Sequence, residues 1–142
     1  MRLIILPEPD RVAQWVATYV KKRILAFAPS ATLPFVLGLP TGSSPTAVYR
    51  LLVEAYRRRE VSFAHVVTFN MDEYVGLPKS HPQSYHHYMW ENFFKHIDIN
   101  PANVHILDGC AADLQEECDA YERCIAEHGG IELFLGGIGP DG

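Results

Sequence analysis

The chain has 142 residues, of which 48% are hydrophobic, and its formal net charge is −5. This length and composition suit one folded domain, and we expect a single α/β domain over residues 1–142. The basic residues are dispersed apart from those at 57–59, which argues against a nucleic-acid partner. No apolar run approaches the about 20 residues that a membrane-spanning helix needs, so no membrane association is expected.

The N-terminal segment and the cysteines indicate a cytoplasmic protein. The apolar segment at residues 2–6 is too short for a signal peptide. Cys110, Cys118 and Cys124 are odd in number and lack C-x-x-C spacing, which is typical of free thiols in a reducing compartment. Cys118 falls on an apolar helix face and is expected in the core. The histidine spacing fits no standard zinc pattern, so the sequence predicts no metal site.

Hydrophobic periodicity alternates between strand and helix along the chain. Strands are predicted at residues 2–6, 34–39, 65–70, 104–107 and 131–135. Helices are predicted at residues 10 to about 29, 45–59, 85–95 and 114–129. This alternation predicts a Rossmann-like, three-layer α/β/α fold with a mostly parallel sheet and helices on both faces.

Helix starts and one apolar face can also be predicted. Asp10 is expected to cap the first helix, and Ser44 the second, with Pro45 at its first helical position. Trp15 and Tyr19 recur on the apolar face of the first helix and are expected in the core.

The turn after the second predicted strand offers an anion site. Residues 38–45 read Gly-Leu-Pro-Thr-Gly-Ser-Ser-Pro, a strand–turn–helix junction with hydroxyls and free backbone N–H groups. Such helix N-termini bind anions, phosphate above all. Because no Gly-Lys-Ser/Thr follows, nucleoside triphosphate chemistry is not expected. The alternative is an ordinary capped turn without a ligand.

Acids follow two other predicted strands. Asp72 and Glu73 come directly after the strand at 65–70, where ligands of parallel α/β sheets bind and a carboxylate can act as acid or base. Adjacent residues on an extended backbone point in opposite directions, so we expect only one to face a site. The alternative is that both are solvated turn acids. The Gly-rich segment 137–142 is expected to hold Asp141 in the same layer as Asp72.

Several of these segments together resemble the glucosamine-6-phosphate deaminase family. The matching segments are residues 38–45, 69–77, 81–85, 92–94 and 136–142. The resemblance runs over the whole chain. The Asn-Met-Asp-Glu-Tyr block at residues 70–74 is specific to this family among its relatives. It argues against a 6-phosphogluconolactonase or a pentose-phosphate isomerase.

The resemblance implies a Rossmann-like fold and an activity without metal or organic cofactor. Glucosamine 6-phosphate and water would give fructose 6-phosphate and ammonia. The turn formed by Thr41, Gly42, Ser43 and Ser44 would help to hold the sugar phosphate. Asp72 would move the proton between C2 and C1, and Asp141 would assist ring opening by orienting a histidine. Glu73 is then expected to be structural.

The sequence also departs from the family pattern. In the family, the Asp-Gly found here at residues 141–142 is followed by the ring-opening histidine and then a glutamate. The longer family chain adds strands, basic phosphate ligands, a lid and an allosteric site between the subunits of a hexamer. We therefore expect these 142 residues to be the N-terminal portion of such an enzyme and catalytically incomplete. The alternative is a truncated, non-catalytic form that binds sugar phosphate or docks on full-length subunits.

Overall fold

The computed structural model describes residues 3–138, and its centre is a parallel sheet. Its four strands lie in the order β3-β2-β1-β4, and every pairing is parallel, which confirms the predicted sheet. The strands span β1 Phe35–Leu39, β2 Val66–Asn70, β3 Val104–His105 and β4 Leu133–Phe134.

From β1 onward, helices and strands alternate as predicted, and the first helix precedes β1. The helices span α1 Pro9–Phe27, α2 Ser43–Arg57, α3 Tyr85–Asn92 and α4 Leu114–Glu127, with short 3-10 turns at Phe94–His96 and Pro101–Asn103. Within residues 3–138, none of the helices has the length and apolar character required to cross a membrane.

The two faces of the sheet bury different cores, and this produces three layers. Side chains alternate along β1, so Phe35, Leu37 and Leu39 join the larger core, which also includes buried residues of α1, α2 and α3. Val36 faces the other way, where it forms a smaller cluster that is partly covered by α4. Both central strands are fully buried, as expected when helices cover both faces. The predicted α/β/α layering is therefore confirmed.

The predicted first strand is wrong within the described residues. Residues 3–6 are not in a strand, and Leu3 and Ile5 are 78% and 83% exposed. A strand needs a neighbour that accepts and donates its backbone hydrogen bonds, and none of the four strands pairs with this segment.

Both predicted N-caps are also wrong. Helix α1 begins at Pro9 with Glu8 in the N-cap position, so Asp10 lies in the first turn. The proline ring fixes a helical φ, which places the N-cap two residues earlier than predicted. Helix α2 begins at Ser43 after Gly42, whose φ of 94° permits the sharp turn, and Ser44 therefore does not cap it.

Three side chains expected in the core are exposed. Trp15 and Tyr19 are each 39% exposed and stack on one another, with ring centroids 5.2 Å apart. The buried face of α1 is instead a line of smaller residues, Ala13, Ala17, Val20 and Ile24. Because α1 packs closely on α2, small side chains fill that interface and the large rings lie at its margin. Cys118 is exposed, since α4 buries none of its residues fully.

Several helices and strands end at other residues than predicted. Helix α3 stops at Asn92 rather than at residue 95, because Phe93 leaves the helical conformation and its ring packs on Tyr49, with centroids 5.0 Å apart. Helix α2 ends at Arg57, and Arg59 has a φ of 58°, so the last turn contains only one of the three predicted arginines. Strands β3 and β4 are shorter than predicted because each is paired over two residues only.

Candidate functional site at the carboxyl edge of the sheet

The carboxyl ends of three strands lie side by side. Leu39 at the end of β1 pairs with Asn70 at the end of β2, so the following loops leave the sheet together. Strand β4 pairs with β1 on the other side, through Gly38 and Phe134. The strand order thus changes direction beside β1. In open α/β sheets, ligands bind in the crevice at such a switch point.

A cleft of about 780 Å³ lies at this switch point. Its walls are the turn after β1, with Thr41, Ser43 and Ser44, the segment 135–138 after β4, and the approach to α1. This volume is within the range of small-molecule pockets. Gly42 faces a neighbouring cleft of about 400 Å³, which Tyr85 and Tyr88 also line. The predicted phosphate-binding turn therefore borders both clefts.

The N-terminus of α2 is open to an anion. Among the described residues, no side chain caps this terminus and its first turn contains no acid. Ser43 and Ser44 are exposed. The Tyr88 hydroxyl fixes the position of this turn by donating a hydrogen bond to the Gly42 carbonyl at 2.6 Å. The partial positive charge of the helix terminus is thus available to a phosphate or a carboxylate.

Asp72 lies on the same edge, two residues beyond the end of β2, and is exposed. Partial burial of its carboxyl group and the neighbouring Glu73 carboxylate both raise the pKa of Asp72. A raised pKa brings a carboxylate closer to the range in which it can both accept and return a proton.

Glu73 points the other way and is structural. Its side chain is only 1% exposed. Its carboxylate accepts hydrogen bonds from the backbone N–H groups of Tyr74, Tyr85 and His86, and Nδ1 of His86 lies 2.9 Å away. Burial alone would raise the pKa of Glu73, but these hydrogen bonds outweigh it and lower the pKa. Glu73 thereby ties the loop after β2 to the start of α3.

Asn70 joins the ends of the two central strands. Its side chain is buried, and its Nδ2 donates to the Leu39 carbonyl at 3.1 Å. Its Oδ1 is buried and has no hydrogen-bond partner in the described part of the chain. The bond fixes the distance between the loop that begins at Pro40 and the loop that contains Asp72.

Sequence reasoning did not single out Tyr85 as a site residue. Its ring packs on Tyr74 with centroids 4.7 Å apart. The pKa of Tyr85 is raised to about 12, first by its contact with the Tyr74 hydroxyl and then by burial, with a further contribution from Asp72 and an opposing hydrogen bond to Thr41. Tyr85 is therefore close to both Thr41, in the turn after β1, and Asp72. The feature of the sequence that could have indicated Tyr85 is its position directly after Ser84, whose side chain caps α3. Asp141 lies outside the described residues.

These features define an α/β protein with a cleft and an uncapped helix N-terminus at a sheet switch point. The chain belongs to the family of glucosamine-6-phosphate isomerases and 6-phosphogluconolactonases, whose family profile matches residues 7–142.

Among its relatives, glucosamine-6-phosphate deaminase 2 of Homo sapiens is 61% identical over all 142 residues of this chain, which correspond to 51% of that protein. The glucosamine-6-phosphate deaminase of Drosophila melanogaster is 62% identical over the same 142 residues, or 52% of its own length. The chain thus spans about half the length of the curated relatives it matches.

Solved structures give the same fold. A monomeric glucosamine-6-phosphate deaminase superimposes with a TM-score of 0.91 at 35% identity, over 98% of this chain and 56% of that one. The 6-phosphogluconolactonase of Thermotoga maritima has a TM-score of 0.74 at 23% identity, over 99% of this chain and 60% of that one. The second similarity concerns the fold alone.

Proposed function

We propose that this chain is the N-terminal portion of a glucosamine-6-phosphate deaminase. The reaction converts glucosamine 6-phosphate and water to fructose 6-phosphate and ammonia. The observation that carries the proposal is that two adjacent acids have different environments. Asp72 is exposed at the carboxyl edge with a raised pKa, whereas Glu73 is sequestered in structural hydrogen bonds. The deaminase relatives supply the substrate class.

Asp72 acts as the base in this proposal. The isomerisation takes a proton from C2 of the open-chain sugar and returns it to C1, so one group must reach two adjacent carbons. A short carboxylate close to the end of a buried strand meets this requirement, because its backbone is fixed and its reach is small.

Thr41, Gly42, Ser43 and Ser44 bind the phosphate group in this proposal. The turn offers hydroxyls and the uncapped N-terminus of α2, but residues 41–44 include no Lys or Arg. Basic ligands from elsewhere in the enzyme must therefore complete the charge compensation. Asp141 is assigned to ring opening, where it orients a histidine.

The test is Asp72→Asn in the full-length enzyme. We expect ammonia release to fall by about 10²- to 10⁴-fold, the usual contribution of a positioned acid–base group. Binding of glucosamine 6-phosphate, measured by isothermal titration calorimetry, should persist because the phosphate contacts remain. Asp119→Asn on the exposed face of α4 is the control and should retain activity. Full activity of Asp72→Asn would show that the base is another residue.

A second candidate is a non-catalytic form that binds sugar phosphate or docks on full-length subunits. The features that could bind a phosphate, the uncapped N-terminus of α2 and the exposed Ser43 and Ser44, do not depend on catalysis. The 142-residue chain can be tested directly for binding of glucosamine 6-phosphate and for ammonia release. Binding without ammonia supports this form, whereas ammonia release by the chain alone excludes it.

Our proposal places the enzyme among cytoplasmic hydrolases of N-acetylglucosamine catabolism, assembled as a homohexamer. A related structure is described as a monomeric deaminase, so the assembly needs its own measurement. Light scattering after size-exclusion chromatography gives the number of subunits, and cell fractionation gives the compartment. A monomeric mass would reject the hexamer without affecting the assignment of Asp72.

A further inference from the structure

A cluster of three potential metal ligands lies at the other edge of the sheet, between β3 and α4. His105 is the last residue of β3, Cys124 lies on α4, and His128 directly follows that helix. One ligand atom from each side chain lies within 4.8 Å of those of the other two. We propose that His105, Cys124 and His128 bind a zinc ion.

The distances suit a shared ion. Sγ of Cys124 is 3.8 Å from Nδ1 of His105 and 3.8 Å from Nδ1 of His128. With zinc–sulfur and zinc–nitrogen bonds of about 2.3 and 2.0–2.1 Å, sulfur and nitrogen ligands of a tetrahedral site are about 3.6 Å apart. The two sulfur–nitrogen distances are thus close to those of a coordination shell.

The backbone presents the ligands from two regular elements, β3 and α4. Cys124 and His128 are four residues apart at the end of α4, so they lie on one face of the helix, as paired metal ligands do in helical zinc sites. His105 is fixed by pairing with Phe69 in β2, and its ring stacks on the Phe69 ring with centroids 4.5 Å apart. The site is therefore largely formed before an ion arrives.

Within residues 3–138, the imidazole of His105 has no strong partner for either nitrogen. Its Nε2 is buried and has no hydrogen-bond partner in this range. In the same range, the polar contact of its Nδ1 is with the Cys124 sulfur, a weak hydrogen-bonding atom. A purely structural role for a partly buried histidine would normally satisfy at least one nitrogen with an oxygen. Coordination of Nδ1 supplies the missing strong interaction.

His128 must give up one contact. Its Nδ1 also lies 2.8 Å from the Cys124 carbonyl oxygen. Metal binding therefore either breaks this hydrogen bond or uses a rotated ring that presents the other nitrogen. All three residues are half-buried, so an ion can reach them from solvent.

The donor set selects the ion. A thiolate and two imidazoles favour zinc over magnesium or calcium, which prefer oxygen ligands. Binding displaces the thiol proton of Cys124 to solvent. Three protein ligands leave a fourth tetrahedral position for water. The bound ion would hold the end of α4 against β3, beside Tyr121, whose hydroxyl contacts the Asn70 and His105 carbonyls at 2.7 and 2.9 Å.

Cobalt(II) titration of the metal-free protein carrying this sequence, purified without a histidine tag, tests the proposal. We expect one equivalent to give a near-ultraviolet thiolate-to-cobalt charge-transfer band and the intense visible bands of tetrahedral cobalt. Zinc should abolish both by displacement. Cys124→Ser should lose the charge-transfer band. The matched control Cys118→Ser should keep it, because the Cys118 thiol is exposed and outside the cluster.

His128→Ala provides a second variant. Residue 128 follows the last residue of α4, so the substitution does not alter the helix itself. We expect it to weaken zinc binding by at least about tenfold, the lower limit for loss of even an outer-shell partner. Far-ultraviolet circular dichroism confirms that each variant is folded. The proposal is refuted if the wild-type cobalt complex lacks the thiolate band. It is also refuted if the band persists undiminished in Cys124→Ser.

Discussion

At the scale of single residues, Glu73 is surrounded by four hydrogen-bonding groups. Three backbone N–H groups and the His86 ring converge on its carboxylate, which is almost completely buried. Two of these N–H groups belong to the first turn of α3, where a negative charge also complements the helix dipole. The adjacent Asp72 is free of this network and remains available to a ligand.

Glu73→Gln is predicted to destabilise the fold. The amide keeps one acceptor oxygen but loses the charge, and its NH₂ group faces N–H donors. Loss of charge-assisted hydrogen bonds at a buried site should cost about 1–3 kcal/mol in the free energy of unfolding. Urea denaturation followed by circular dichroism measures this. Glu122→Gln, exposed on α4, is the control and should change stability by less than about 0.5 kcal/mol.

The Glu73 contribution is predicted to depend on pH. Its folded-state pKa is below the ordinary value of 4.5, so between these two values the unfolded state binds more protons and stability rises with pH. The stabilisation is complete above 4.5 and is lost as pH falls through the folded pKa. Urea denaturation across this range should show the difference between wild type and Glu73→Gln shrinking on acidification. A constant difference would contradict the assignment.

At the scale of elements, the loop after β2 is packed tightly against the loop after β3. The Gly76 N–H donates to the Gly109 carbonyl at 2.7 Å. A Cβ atom added at Gly109 would lie 2.0 Å from the carbonyl oxygen of Tyr74 and 3.4 Å from Cγ of Glu73. Residue 109 is therefore restricted to glycine by backbone contact, and this contact positions the segment that contains Asp72.

Gly109→Ala is predicted to destabilise the fold by about 1–3 kcal/mol, the usual cost of overpacking. The obstructing atom belongs to the backbone, so a change of side-chain rotamer cannot relieve the clash. Because the displaced segment carries Asp72, ammonia release by the full-length enzyme should also fall. Gly136→Ala is the control for stability, since its added Cβ meets nothing within 4 Å. Equal stability of the two variants in chemical denaturation would refute the argument.

At the scale of the whole molecule, the two faces of the sheet are unequal. The larger core contains most of the fully buried aromatic and aliphatic side chains, and α1, α2 and α3 contribute to it. The opposite face is covered in part by α4, none of whose residues is fully buried. Local opening should therefore begin at α4 rather than at the central strands.

Hydrogen exchange followed by mass spectrometry tests this order. Peptides that cover β1 and β2 should exchange most slowly, because every residue in both strands is buried. Peptides that cover α4 should exchange faster by a wide margin. Zinc, if it binds His105, Cys124 and His128, should slow exchange in α4 selectively. Equal protection of α4 and β1 without metal would show that the two layers open as one unit.

The sequence by itself determined the alternation of elements, the parallel sheet and the family. Hydrophobic periodicity and composition show which face of an element is apolar. The family can be identified from the sequence because the segments that indicate it, such as residues 38–45 and 70–74, are continuous in the chain. The exposed Trp15 and Cys118 were mispredicted because periodicity cannot say how closely two helices approach or whether a helix face is covered. The site roles of Thr41, Gly42, Ser43, Ser44, Asp72 and Asp141 remain predictions.

Only the tertiary structure decided which distant residues meet. Glu73 was expected to be structural, but its partners, N–H groups at the start of α3 twelve residues further on, became evident only in the fold. Tyr85, also at the start of α3, is likewise brought close to Thr41 and Asp72. The sequence predicts no metal site, yet His105 and Cys124 are brought together across β3 and α4. Contacts between separate elements depend on packing distances and directions, and these are properties of the folded chain rather than of any local pattern.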